Sequence, residues 1–193
     1  MLRKALAMRG IHWLATRFGS GSLRRMSFDE MFRSGNWNFA ATPSSELVKV
    51  VEKYSLNGDI LMLGCGTGTI AGALAPQSFR SFLGVDLSPE AIAKANTLAG
   101  DTIRFEVGDM LQYEPAGTYE IILFSEALYY AWPWQRKPLL RKLQKRLKQN
   151  GKFIVTIAQP TRYASIIKMI RNNFQILEDR QFLDSGRHLL VFH

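Results

Sequence analysis

The sequence predicts an α/β fold, a three-layer sandwich with helices on both faces of a mostly parallel sheet. Three observations carry that prediction. Apolar runs of strand length alternate with helical patterns from Ile60 to Asn150, the signature of βαβ units. The runs are apolar at consecutive positions, as strands buried on both faces must be. The first run, Ile60 to Leu63, stops abruptly at Gly64-Cys65-Gly66-Thr67-Gly68, with three glycines on alternate positions.

Each element follows from its own residues. Pro43 to Leu56 reads as a helix capped by Thr42, with Leu47, Val48, Val51 and Tyr54 on its buried side. After the first strand, Thr69 to Leu74 opens a helix whose N-terminal N–H groups face whatever the glycine loop holds. Glycines let backbone and ligand approach closely. Ser81 to Asp86 is a second strand ending in a carboxylate, eighteen residues past Gly68. That is where a nucleotide ribose expects its hydroxyl acceptor. Ser88 caps the next helix and Pro89 fills its first turn, which leaves Asp86 without a structural duty.

Ile103 to Val107 is the third strand and ends at Gly108-Asp109-Met110. Tyr119 to Phe124 is the fourth and stops at Ser125-Glu126. A helix is predicted over Pro138 to Lys148, with Leu139, Leu140, Leu143 and Leu147 as its buried stripe. Lys152 to Ile157 forms the fifth strand and Ala164 to Phe174 a helix. Gln175 to Arg180 and His188 to Phe192 close the sheet as a hairpin through Asp184-Ser185-Gly186. Glycines and acids thus gather at the carboxyl ends of the strands, where open α/β sheets bind ligands.

Composition sets the outer bounds. The 193 residues are 47% apolar and make one domain. No run approaches the ~20 apolar residues of a membrane span. The lone cysteine, Cys65, excludes an internal disulfide and fits a reducing compartment, so a cytoplasmic location is expected. Cys65 reads as a small filler of the glycine loop rather than a nucleophile. The net charge is +9, unevenly spread. Residues 1–26 carry Arg3, Lys4, Arg9, Arg17, Arg24 and Arg25 and no acid, interleaved with apolar residues. Residues 1–27 therefore read as a basic arm, with association at an anionic membrane surface as one use, and residues 28–193 as the domain. Residues 127–177 hold eleven Lys/Arg and no Asp or Glu, which suits an acidic partner or a solvated helix face.

Taken in order, these motifs resemble the class I S-adenosylmethionine-dependent methyltransferases. Leu63 to Gly68 is similar to that family's first motif, and Val85 to Ile92 to its second, whose acid binds both ribose hydroxyls. Gly108-Asp109-Met110 resembles the position where a carboxylate takes the adenine amine, and Ser125 to Tyr130 the fourth motif beside the methyl group. The resemblance implies a Rossmann-like fold of seven strands with an antiparallel last strand, and S-adenosylmethionine as cofactor. It assigns cofactor contacts to Trp37, Gly64, Cys65, Gly66, Gly68, Asp86, Leu87, Asp109, Met110 and Ser125, and catalytic positions to Glu126 and Tyr129. The chain departs from the family at Met62, where an acid is usual, and at Gln149-Asn150-Gly151, where the family has a Pro-Gly-Gly turn.

Within the family, Phe28 to Phe32, Trp37-Asn38-Phe39 and Ser125 to Tyr130 resemble the nodulation-type N-methyltransferases that act on an amino sugar. That likeness implies a small polar or saccharide-like acceptor, methylated on nitrogen or oxygen. No metal is expected, and no nucleic-acid reader motif is present. Two rivals stand beside this reading. Gly66 to Ala71 also satisfies a dinucleotide pattern, which an NAD-dependent oxidoreductase would use. Against it, no room for a second catalytic domain is expected in the chain, and no tyrosine has a lysine four residues later, as short-chain reductases require. A catalytically degenerate binding module, motivated by Met62 and the basic arm, is the other.

Overall fold

The computed structural model describes residues 21–34 and 43–193. In chain order the elements are α1 (Gly21–Arg33), α2 (Ser45–Ser55), β1 (Asp59–Leu63), α3 (Thr69–Ala73), β2 (Ser81–Asp86), α4 (Pro89–Ala95) and β3 (Ile103–Val107). They continue with β4 (Tyr119–Ser125), α5 (Pro133–Gln144), β5 (Leu147–Ile157), α6 (Ala164–Arg171), β6 (Ile176–Gln181) and β7 (His188–Phe192). Among the described residues, seven strands form one sheet in the order β3-β2-β1-β4-β5-β7-β6. Strands β1 to β5 pair in parallel, and β7 runs antiparallel to both of its neighbours. The strand order reverses between β1 and β4, the place where such sheets open a ligand crevice.

Alternation along the strands divides the core into two layers. Ile60, Met62, Ile121, Leu123, Ile154 and Val191 face the layer under α2, α3 and α4. Leu61, Leu63, Ile122, Phe124, Val155 and Leu190 face the layer under α5 and α6. Every one of these side chains is nearly or wholly buried, which is why the strands read as continuous apolar runs.

Helix α1 roofs the carboxyl edge of the sheet. Met31 and Phe32 are buried beneath it. Arg33 pairs with Glu90 at 3.0 Å, and the Lys94 ammonium donates to Phe32 O at 2.6 Å. Ser88 Oγ donates to Asp29 Oδ1 at 2.5 Å. The expected boundary between residues 27 and 28 therefore falls inside a single helix that packs on α4.

Three element boundaries differ from expectation. The N-cap of α2 is Ser44, whose hydroxyl accepts from Leu47 N, and the expected cap Thr42 lies outside the described residues. Helix α5 starts at Pro133 and contains Pro138 inside it, rather than starting there. Trp132 is its N-cap and Pro133 and Trp134 form its first turn. Leu147 and Lys148 belong to β5, where Leu147 pairs with Tyr119 ahead of an irregularity in register.

Candidate functional site

The glycine loop owes its shape to two constraints. Gly64 and Gly66 have φ of 77° and 55°, the left-handed region that disfavours side chains. A Cβ at Gly64 would also meet the Ala127 methyl at 2.6 Å. The loop then hangs on β2, with Gly64 and Cys65 both donating to Val85 O at 2.8 and 3.1 Å. Gly68 serves packing, because a Cβ there would meet the Phe105 ring at 2.7 Å.

Asp86 is the hub of this end. Its Oδ2 accepts from Gly66 N at 2.8 Å and its Oδ1 from Ser88 N at 3.0 Å. The expectation that Asp86 lacks a structural duty is thereby corrected: it clasps the glycine loop as well as lining the crevice. Burial raises its carboxyl pKa, against the pull of the backbone N–H groups of Ser88, Gly66 and Leu87. Burial, and then the Asp86 charge, pushes the Cys65 thiol well above its ordinary range, so the thiol is inert filler as expected.

These groups border a cavity of about 350 Å³ at the sheet's carboxyl edge, a volume typical of small-ligand sites. Of the residues expected at the cofactor, Gly64, Cys65, Gly66, Asp86, Leu87, Asp109, Met110 and Ser125 line it. Gly68 does not, and Trp37 lies outside the described residues. Glu126 lines the cavity; Tyr129 does not, and instead stacks on Tyr163 with ring centroids 4.6 Å apart. Its neighbour Tyr130 faces the cavity, packed edge-on against Phe28 at 5.0 Å.

Two buried side-chain atoms among the described residues lack a hydrogen-bond partner, and both belong to residues that line this cavity. They are Arg24 Nε and Glu126 Oε1. Arg24 Nη2 donates to Asp109 Oδ2 at 2.8 Å, while Asp109 Oδ1 accepts from Leu111 N at 3.0 Å. Glu126 holds a left-handed φ of 56°, a strain on the order of 1 kcal/mol that clusters at functional sites. Its Oε2 accepts from Ala158 N at 2.5 Å, and Arg187 Nε stands 3.6 Å from Oε1. Burial raises the Glu126 pKa, and Ala158 N–H, the Thr156 hydroxyl and Arg187 pull against it.

Sequence reasoning missed Arg24, Phe28, Phe32, Lys94 and Arg187 as cavity residues. Arg24, Phe28 and Phe32 are spaced four apart and share one helix face, a signal the basic composition of this stretch obscured. Arg187 arrives from the β6–β7 hairpin, whose Asp184 accepts from Ser44 Oγ at 2.8 Å and so ties the turn to the start of α2. Sequence spacing carries no trace of that contact.

The methyltransferase-domain family profile matches residues 60–151, which spans the glycine loop, Asp86, Asp109 and Glu126. Residues 60–151 are those of a methyltransferase domain. S-adenosylmethionine is the cofactor of that family, and the cleft fits it. Acidic side chains sit at the tips of β2, β3 and β4, the glycine loop lies at β1, and two residues of the lining, Arg24 and Glu126, each keep a partnerless buried polar atom.

The trans-aconitate 2-methyltransferase of Deinococcus radiodurans is 31% identical over 121 residues, covering 60% of this chain and 45% of that protein. The chain spans about half the length of the curated relatives it matches. Among solved structures, the N-methyltransferase NodS of Bradyrhizobium japonicum bound to S-adenosyl-L-homocysteine superposes with a TM-score of 0.70. The two are 21% identical, over 87% of this chain and 96% of that one. The glycopeptide N-methyltransferase MtfA, bound to sinefungin, gives 0.66 at 13% identity, over 79% of this chain and 86% of that one. At such identities the likeness is one of fold.

No helix among the described residues is long and apolar enough to cross a membrane. Of the basic arm, residues 1–20 lie outside the described residues, and Arg24 turns inward to Asp109.

Proposed function

We propose that the protein transfers a methyl group from S-adenosylmethionine to a small polar acceptor, an amino sugar or saccharide, on nitrogen or oxygen. The observation that carries this reading is Glu126 Oε1, a buried carboxylate oxygen without a hydrogen-bond partner, on a residue that lines the cavity. An acceptor N–H or O–H supplies the missing donor. When bound, S-adenosylmethionine supplies an electrophilic methyl group on a sulfonium. Asp109 and Asp86 would hold its adenine and ribose, and the bare loop at Gly64 to Gly66 its methionine portion.

The chain's own part is alignment, water exclusion and proton removal. Glu126 orients the acceptor and takes its proton. Its raised pKa makes it a stronger base than an exposed carboxylate. Arg187 holds that carboxylate ionised and in place. Met62, Ile70 and Leu47 give the cavity apolar walls, and α1 closes it from above. Tyr130 and Phe28 offer ring faces of the kind that attract a sulfonium. A roofed cavity of this size favours a small molecule over a nucleic acid as acceptor.

Incubation with isotopically labelled cofactor and a panel of amino sugars, saccharides and small amines tests the reading. Label transfer to a small acceptor, lost in Glu126→Gln, supports it. Transfer confined to duplex DNA overturns it, as does saturable cofactor binding with no transfer to any member of the panel.

A further inference from the structure

The roof helix puts one cation against the base end of the cavity. Arg24 and Asp109 are each only 17% exposed at the side chain. Their contact uses one nitrogen of the guanidinium, Nη2 to Oδ2. The Nε–H on the same edge is buried without an acceptor, and Arg24 lines the cavity. Buried donors are satisfied in the great majority of cases, so a bare one on a residue that lines the cavity calls for an acceptor from a ligand. Asp109 meanwhile keeps lone-pair capacity, because each of its oxygens accepts one bond from the chain.

An acceptor and a donor fixed side by side make a composite reader of one nucleobase edge. Adenine alone among the common bases pairs an exocyclic amine at C6 with ring-nitrogen acceptors at N1 and N7 beside it. A donor–acceptor pair in a protein reads that edge as an Asn or Gln amide does. We propose that Arg24 is a specificity-determining residue for the cofactor's base, donating from Nε to a ring nitrogen beside the amine that Asp109 accepts. The proposal rests on S-adenosylmethionine being the cofactor. It assigns to helix α1 a role in selecting the ligand as well as in covering it. Hypoxanthine, which carries a C6 carbonyl, would turn an acceptor toward Asp109 and be rejected.

Calorimetric binding of S-adenosylhomocysteine and three base analogues provides the test, with no turnover required. The analogues are the 1-deaza, 7-deaza and inosine forms. Wild-type protein is expected to bind the inosine form and one deaza form about tenfold or more weakly than the parent, the range of a charge-assisted hydrogen bond. Arg24→Lys keeps a cation for Asp109 but lacks the planar fork that fixes a second N–H beside the first. In that variant the parent weakens to the level of the disfavoured deaza form, and the penalty between the two vanishes. If Arg24→Lys weakens the parent and both deaza forms by one common factor, Arg24 is only a clasp for the roof and the proposal fails. Equal binding of the parent and both deaza forms by wild-type protein sinks it without any variant, so misfolding cannot protect it. Failure of wild-type protein to bind the parent at all instead removes the cofactor assignment on which it stands.

Discussion

Gly66 N donates to Asp86 Oδ2 at 2.8 Å, so one acid on the cavity wall also closes the glycine loop beside it. In the family, an acid two residues before the first glycine helps order this loop; here that position is Met62. The clasp from the neighbouring strand supplies order from a different direction. Removing it leaves the N–H groups of Gly66 and Ser88 without their acceptor. Asp86→Ala is therefore expected to cost stability as well as ligand binding. The loss is about 2 kcal/mol, or about 4–8 °C in thermal midpoint for a chain of this size. Asp86→Asn keeps one acceptor and falls between. A midpoint unchanged in Asp86→Ala, with binding lost, would restrict the residue to ligand contact.

Restoring the family's acid is expected to fail. The Met62 side chain is 3% exposed and belongs to the apolar layer under α2, α3 and α4. Met62→Asp puts a carboxylate into that apolar layer, at a cost of about 3 kcal/mol. Cofactor affinity should not rise to compensate. Urea unfolding and S-adenosylhomocysteine titration of the variant check both halves, and tighter binding at undiminished stability would refute the argument.

As the proposed base, Glu126 would give the reaction a pH dependence with a definite sign. Burial lifts its pKa above the ordinary carboxylate value of 4.5, so activity should rise with pH through a midpoint above that value. Arg187 pulls the pKa down, so Arg187→Ala should move that limb to higher pH, and Glu126→Gln should remove it. Stability runs the opposite way. A carboxyl whose folded pKa is raised contributes stability in full below the unfolded value, and that contribution is lost as pH rises through the folded pKa. Glu126→Gln is thus expected to raise the thermal midpoint at pH 7 by a degree or two, with no gain below about pH 4. A pH–rate profile with the same limb in wild type and Glu126→Gln would exclude this carboxylate as the base.

The parts of the fold that were legible in the sequence are those fixed by local chemistry. Strand β1 announces itself because Ile60 to Leu63 is buried on both faces, and Ser88-Pro89 marks the start of α4 because cap and first turn are both sequence-local. Helix α5 was misplaced because two prolines compete for its first turn. Pro133 occupies it, held by Gln135 Oε1 accepting from Trp132 N and by Arg136 Nε donating to Ala131 O. Pro138 sits a turn further on. The strand tips Asp86, Asp109 and Glu126 were legible because each ends an apolar run. Arg24 and Arg187 were not, since their roles come from contacts 85 and 61 residues away in sequence, to Asp109 and Glu126. Apolar periodicity reports which face of an element is buried and is silent on which polar groups the fold brings together.

The opposite edge of the sheet offers a control that should touch stability and leave the site alone. Asp59 opens β1 and gathers Arg80, Lys148 at 3.0 Å and Ser81 Oγ at 2.8 Å. The Arg80 guanidinium is the leading cause that holds its carboxyl well below the usual range, and Ser81 and Lys148 add to it against the cost of burial. A carboxyl depressed in the folded state contributes stability above its unfolded pKa of about 3.9, lost as pH falls through the folded value. Asp59→Asn should then lower the thermal midpoint at pH 7 by about 2–4 °C, as roughly 1 kcal/mol does in a chain this long. The difference should shrink as the solution is acidified below pH 4. Because β1 carries Asp59 and the glycine loop at opposite ends, binding of S-adenosylhomocysteine at 25 °C should match wild type. A variant that binds the ligand tenfold more weakly while remaining folded would mean that strain passes along β1 from one edge of the sheet to the other.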